Sequence, residues 1–133
     1  SLMLLHVLSA DEEGSPSFHL PSAAVGGRSV VLDNAAFEIY QKEWQLYQQK
    51  GMDFLRTHEA LATQAGLSVE FTQTAGHPGR IICSLAKTWE ADLIVVGRRG
   101  RSGLNELLLG SISNYVLHHA PCEVLTIHTP HHT

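Results

Sequence analysis

The chain has 133 residues, 44% of them hydrophobic and 17% charged, a balance that excludes disordered, collagenous and fibrous classes and suits one domain with a real core. Its formal net charge of −4 argues against nucleic acid as a partner, so any anion must be held by a local cluster of groups. No stretch reaches the ~18 apolar residues of a membrane span, and the opening SLMLLHVLS lacks the features of a signal peptide, so neither membrane insertion nor export is expected.

Residues 2–8, LMLLHVL, form a short apolar run of the kind buried on both faces of a parallel sheet. Residues 9–33 mix Ser, Gly, Pro and acidic residues without sustained periodicity and read as a long surface loop. From Asn34 to Ala65 the positions Phe37, Tyr40, Trp44, Tyr47, Phe54, Leu55, His58, Leu61, Ala62 and Ala65 recur at spacings of mostly three and four, which predicts an amphipathic helix. Gly51 falls inside it and weakens it by roughly 1 kcal/mol. The aromatic residues of this helix are expected to pack in a core rather than to face a cofactor.

Gly66 then ends the helix, and LSVEFTQTA alternates with period two, as a strand does. A second helix follows from Pro78, with Ile81, Ile82, Leu85, Ala86 and Trp89 on one face. DLIVVG is another apolar strand. After a glycine- and arginine-rich loop come a helix, SISNYVLHHA, with Ser111 as its expected N-cap, and a last strand, EVLTI. Alternation of strand and helix calls for an α/β fold with a mostly parallel sheet. The two cysteines, Cys83 and Cys122, form neither a CxxC pair nor a disulfide framework, which fits reduced thiols and a cytoplasmic setting.

The loop carries the chemistry. Arg98, Arg99 and Arg101 are three of only nine Lys and Arg residues, and they sit among Gly97, Gly100 and Gly103 just beyond a buried strand. In an open α/β sheet ligands bind beyond the carboxyl ends of the strands, where this loop begins. Gly97 and Gly100 allow a tight turn with exposed N–H groups, and Gly110-Ser111 places free amides and a hydroxyl at a helix start, so a phosphate could be cradled there. The plain alternative is a tight turn with solvated arginines, and spacing alone leaves both open. A P-loop lysine and the GxGxxG fingerprint are both absent, which disfavours ordinary NTPases and nicotinamide enzymes. The nine histidines show no zinc-type spacing with cysteine, and His118-His119 suit a helix C-terminus.

The spacing Gly97, two residues, Gly100, nine residues, Gly110-Ser111 resembles the ATP-binding signature of the universal stress protein family. LMLLHV is similar to that family's second strand, and ADLIVVGRRGRSGLNELLLGSISNYVLHHAPCEVLTI to its final third. The resemblance implies a flavodoxin-like, Rossmann-like open parallel sheet of five strands in the order 3-2-1-4-5. It also implies that the first strand and helix, roughly 30 residues, precede Ser1. On this footing residues 1–133 are one N-terminally incomplete domain that binds ATP, with Mg²⁺ carried on the phosphates. Val7 would touch the adenine edge, Val96 and Gly97 the ribose and base, and Gly100, Gly110, Ser111, Ile112 and Ser113 the phosphates, with Arg98 and Arg99 adding charge beside them. The implied assembly is a homodimer through the strand at 123–127. No general base can be assigned, so a nucleotide-dependent regulatory switch is expected. A slow ATP hydrolase or phosphotransferase, or an interaction module for AMP or a cyclic nucleotide, are the alternatives.

Overall fold

The computed structural model describes residues 1–12, 14–17, 29–97 and 109–128, with residues 29–33 described in backbone only. The described elements run β1 (Leu2–Leu8), α1 (Ser29–Gln64), β2 (Val69–Ala75), α2 (Pro78–Thr88), β3 (Leu93–Gly97), α3 (Ser111–His119) and β4 (Glu123–Ile127). They group into two compact units, Ser1–Ala75 and Gly76–Thr133.

In the first unit β1 and β2 are parallel neighbours, paired from Leu2 opposite Val69 to Leu8 opposite Ala75. Side chains alternate across a strand, so Leu2, Leu4, His6 and Leu8 share a face with Val69, Phe71, Gln73 and Ala75. That face receives α1, whose Gly51 backbone lies against His6 and Gln73. Leu8 and Leu55 are the buried apolar side chains of this unit among the described residues. A full turn of helix separates neighbours on one face, so Leu55 takes the inward place at 3% exposure while Phe54, one residue earlier, is 55% exposed. Phe54, expected on the packed face, instead lies outside against the ring of His58, 4.3 Å between centroids. Tyr40, Trp44 and Tyr47 are half-buried and stack edge to face along the helix, at 6.2 and 5.5 Å.

The helix begins at Ser29, five residues before the expected Asn34, so the loop expected to run to residue 33 ends sooner. Extending a nucleated helix gains one backbone hydrogen bond per residue, which outweighs the weak helix preference of Val30 and Val31. The other end follows the sequence closely. Gly66 has φ of +84°, its N–H donates to the Thr63 carbonyl, and the Leu67 N–H reaches back to the Ala62 carbonyl, so two terminal carbonyls are satisfied.

In the second unit β3 and β4 are parallel, from Leu93 opposite Glu123 to Gly97 opposite Ile127. Ile94 packs with Ala86 of α2 and Val116 of α3, and Ile82, Cys83, Ala91, Val96, Cys122 and Val124 close around them. Val116 has no exposed surface at all. The opposite face of the strand pair carries Leu93, Val95, Leu125 and Ile127, each about half exposed. Helix α2 starts at Pro78, the first helical position, where the missing N–H costs nothing, and the His77 ring Nδ1 accepts the Arg80 N–H at 3.2 Å. Glu90, just beyond the end of α2, has φ of +55°, and the Ala91 N–H bonds back to the Ala86 carbonyl at 2.9 Å.

Candidate functional site

The carboxyl end of β3 and the start of α3 are the best-defined parts of the expected phosphate cradle. The side chain of Ser113 is 4% exposed, and its hydroxyl donates to the Gly97 carbonyl, which ties the first turn of α3 to the last residue of β3. Sixteen residues apart in sequence, the two ends of the glycine-bounded segment are thereby held together. Helix geometry leaves the N–H groups of Ser111, Ile112 and Ser113 without a carbonyl one turn earlier within α3, while the Asn114 N–H makes the first intrahelical bond, to the Gly110 carbonyl at 2.9 Å. Three backbone donors therefore gather at the positive end of the helix dipole.

Two details differ from expectation. The N-cap of α3 is Gly110, in extended conformation with φ −61° and ψ 155°, and Ser111 is the first helical residue. Glycine suits an N-cap nearly as well as serine because it reaches the extended conformation without strain, so an adjacent Gly-Ser pair leaves the cap ambiguous in sequence. Among the described residues no side chain caps the start of this helix, and Ser111 is exposed. The Ser113 hydroxyl, in turn, is engaged by the Gly97 carbonyl, so the part of Ser113 directed to an anion is its N–H.

Gly110 is buried and Ile112 is exposed, while Val96 is half-buried beside the Ile94 core and Gly97 is exposed at the end of β3. Arg98, Arg99 and Gly100 lie outside the described residues. Val7 belongs to the first unit, half-buried on the sheet face turned away from α1. At the far end of α3, His119 Nδ1 donates to the Tyr115 carbonyl at 2.9 Å and its ring stacks on Tyr115 at 4.1 Å, as a basic residue at a helix C-terminus should. Among the described residues no group of three or more His, Cys, Asp or Glu could hold a metal ion, and no helix is long and apolar enough to cross a membrane.

The sequence model of the universal stress protein family matches residues 1–128. The chain belongs to the universal stress protein family. Universal stress protein Slr1101 of Synechocystis is 46% identical over 100 residues, which cover 75% of this chain and 93% of that protein. Universal stress protein Sll1388 of the same organism is 33% identical over 129 residues, 95% of this chain and 77% of its own length. Among solved structures, universal stress protein UspA from Lactobacillus plantarum superposes with a TM-score of 0.62 at 25% identity, over 94% of this chain and 75% of that one. Hypothetical protein MJ0577 superposes with a TM-score of 0.70 over 97% of this chain and 76% of that one, and at 19% identity it speaks to the fold alone. The α/β, Rossmann-like fold of this universal stress protein is shared with both.

One polar cluster of this family member escaped the sequence reading. His6 and Gln73, on adjacent strands, sit beneath Gly51 of α1, and Glu12 and Tyr47 join them. The signal was present as a lone histidine in an apolar strand and a lone glycine in a helix, but nothing in the spacing said that the two meet.

Proposed function

We propose that this protein is a nucleotide-dependent stress-response switch that binds ATP between the carboxyl end of β3 and the amino end of α3. The observation that carries the reading is the hydroxyl of Ser113 on the Gly97 carbonyl. It holds the flanks of the GxxG-x₉-GS signature in one place, beside the N–H groups of Ser111, Ile112 and Ser113, which helix geometry leaves without partners within α3. Backbone donors at a helix start, with Gly110 leaving room for close approach, suit a triphosphate carrying Mg²⁺ on its oxygens. Arg98, Arg99 and Gly100 are assigned to the same phosphates, and Val96 and Gly97 to the ribose and base. Binding acts by mass action on conformation, which requires no turnover.

On the same footing, the protein is a cytoplasmic homodimer paired through Glu123–Ile127. Isothermal calorimetry with Mg-ATP tests the central point, using the protein and its Gly110→Val variant. Micromolar binding that the variant loses is expected. Equal binding by both proteins would remove the cradle from the proposal, and tighter binding of AMP or a cyclic nucleotide would make the protein a sensor of that ligand instead.

A further inference from the structure

We infer that Ser113 is a positioning residue of the nucleotide site: its hydroxyl sets the roll of α3 on β3, and so the aim of the first-turn amides, without meeting a phosphate itself. The inference rests on the nucleotide reading above and names what governs the affinity of that site. Helix α3 has two buried residues, Ser113 and Val116, three apart and therefore on one face. Val116 packs with Ile94 in the body of β3, and the Ser113 hydroxyl donates to the Gly97 carbonyl at its end. The helix is thus held at two points along one strand, and the two holds differ in kind. Apolar contact has no direction, so Val116 alone lets the helix roll. The Tyr115 ring against Gly79 of α2 is likewise a contact of shape. A hydrogen bond weakens steeply as its angle departs from the preferred one, so the bond from Ser113 defines the roll. Ser111 and Ile112 precede it within the same turn, and the directions of their N–H groups follow from it.

Packing alone does not call for serine here. At a helix position 4% exposed, alanine has the better helix preference and no polar group to bury. What serine adds is a donor, and a hydroxyl has a single hydrogen to give. That hydrogen is spent on the Gly97 carbonyl. A phosphate oxygen is also an acceptor, so serving one would mean abandoning the carbonyl. The hydroxyl therefore holds the strand, and the backbone amides of the turn are left to hold the anion. Without the bond α3 populates other rolls, and the apparent affinity falls with the fraction of molecules still correctly aimed. A hydrogen bond of ordinary net strength biases such an equilibrium roughly three- to tenfold.

The test takes the whole protein and three variants: Ser113→Ala, which removes the donor, Ser113→Cys, which keeps the size with a weak donor, and Ser113→Thr, which keeps the hydroxyl. Amide residual dipolar couplings of Ser111, Ile112 and Asn114, set against those of β3 in the ligand-free protein, report the direction of each N–H bond. Calorimetry with Mg-ATP reports the affinity. In the alanine and cysteine variants the couplings should change and ATP should bind roughly three- to tenfold more weakly, and threonine should restore both. The cysteine variant leaves no cavity, so it carries the test if the alanine variant folds poorly. Weaker binding with unchanged couplings would make the hydroxyl a direct phosphate ligand and overturn the inference. Changed couplings with full affinity would overturn it too, because the roll of α3 would then not matter to the nucleotide. Both of those outcomes leave the nucleotide reading standing. Absence of binding by the unsubstituted protein would instead remove that reading, and this inference with it.

Discussion

Gly51 shows how a single missing methyl group can decide a helix position. A Cβ built there would sit 2.0 Å from Gln73 Oε1 and 2.7 Å from His6 Nδ1. Both atoms are committed to each other, so neither can swing aside without breaking their bond. Alanine at this point gains about 1 kcal/mol of helix preference, but it breaks a half-buried hydrogen bond worth about 1 kcal/mol and leaves polar atoms unpaired at a further 1–3 kcal/mol. Gly51→Ala is thus expected to lower stability in urea unfolding, and by less in a Gln73→Ala background, where the nearest obstacle has gone. Equal losses in the two backgrounds would contradict this account. In sequence Gly51 reads only as a weak point, because the clash that requires it comes from residues 22 and 45 positions away. Cys83 makes a second residue-scale case. Burial, reinforced by Cys122, raises its thiol above the ordinary value of 9.0. The folded state therefore holds this proton more tightly than the unfolded state does. The resulting stabilisation is complete below the ordinary value and fades as pH climbs through the raised one. Iodoacetamide at about pH 8 should alkylate Cys83 more slowly in the native than in the unfolded protein, and Cys83→Ser should flatten the fall in stability above about pH 9.

At the scale of elements, continuous apolar runs were the most legible features. The extents of β1 and β4 match those read from LMLLHVL and EVLTI, because a strand buried on at least one face cannot slip without exposing its side chains. Helix ends were less legible where two neighbouring residues could serve equally, as at Gly110-Ser111, or where the preceding stretch resembled a loop, as before Ser29. Helices α1 and α2 offer a comparison. Helix α1 closes on Gly66 in the left-handed region, whereas α2 makes the same kind of closure with Glu90. A side chain in that conformation costs about 1–2 kcal/mol, which glycine avoids while gaining some freedom in the unfolded chain. Glu90→Gly should consequently stabilise the protein by about 0.5–1 kcal/mol, read as a higher urea midpoint with unchanged slope. A loss would mean that the Glu90 side chain repays the strain.

For the whole molecule, alternation of strand and helix was enough to read an α/β fold and parallel pairs, since a strand–helix–strand unit leaves little other choice. The order beyond each pair depends on what adjoins the second edges of β1 and β3, and local periodicity carries no record of that. Ligand binding by the folded state alone stabilises the entire protein, so Mg-ATP at about a hundred times its dissociation constant should contribute about 2.7 kcal/mol and raise the melting temperature by about 10 °C. An unchanged melting temperature would argue against the nucleotide reading. The length of α1 has a mechanical meaning of its own. Its 36 residues span about 54 Å, against about 23 Å for the 7-residue β1 beneath it. Gly51 and Leu55, its buried positions among those described, both lie in the second half. The best-buried anchorage of the helix is therefore off centre, and its Ser29 end stands about 33 Å along the axis from Gly51, so a tilt of about 10° about that glycine would displace Ser29 by about 6 Å.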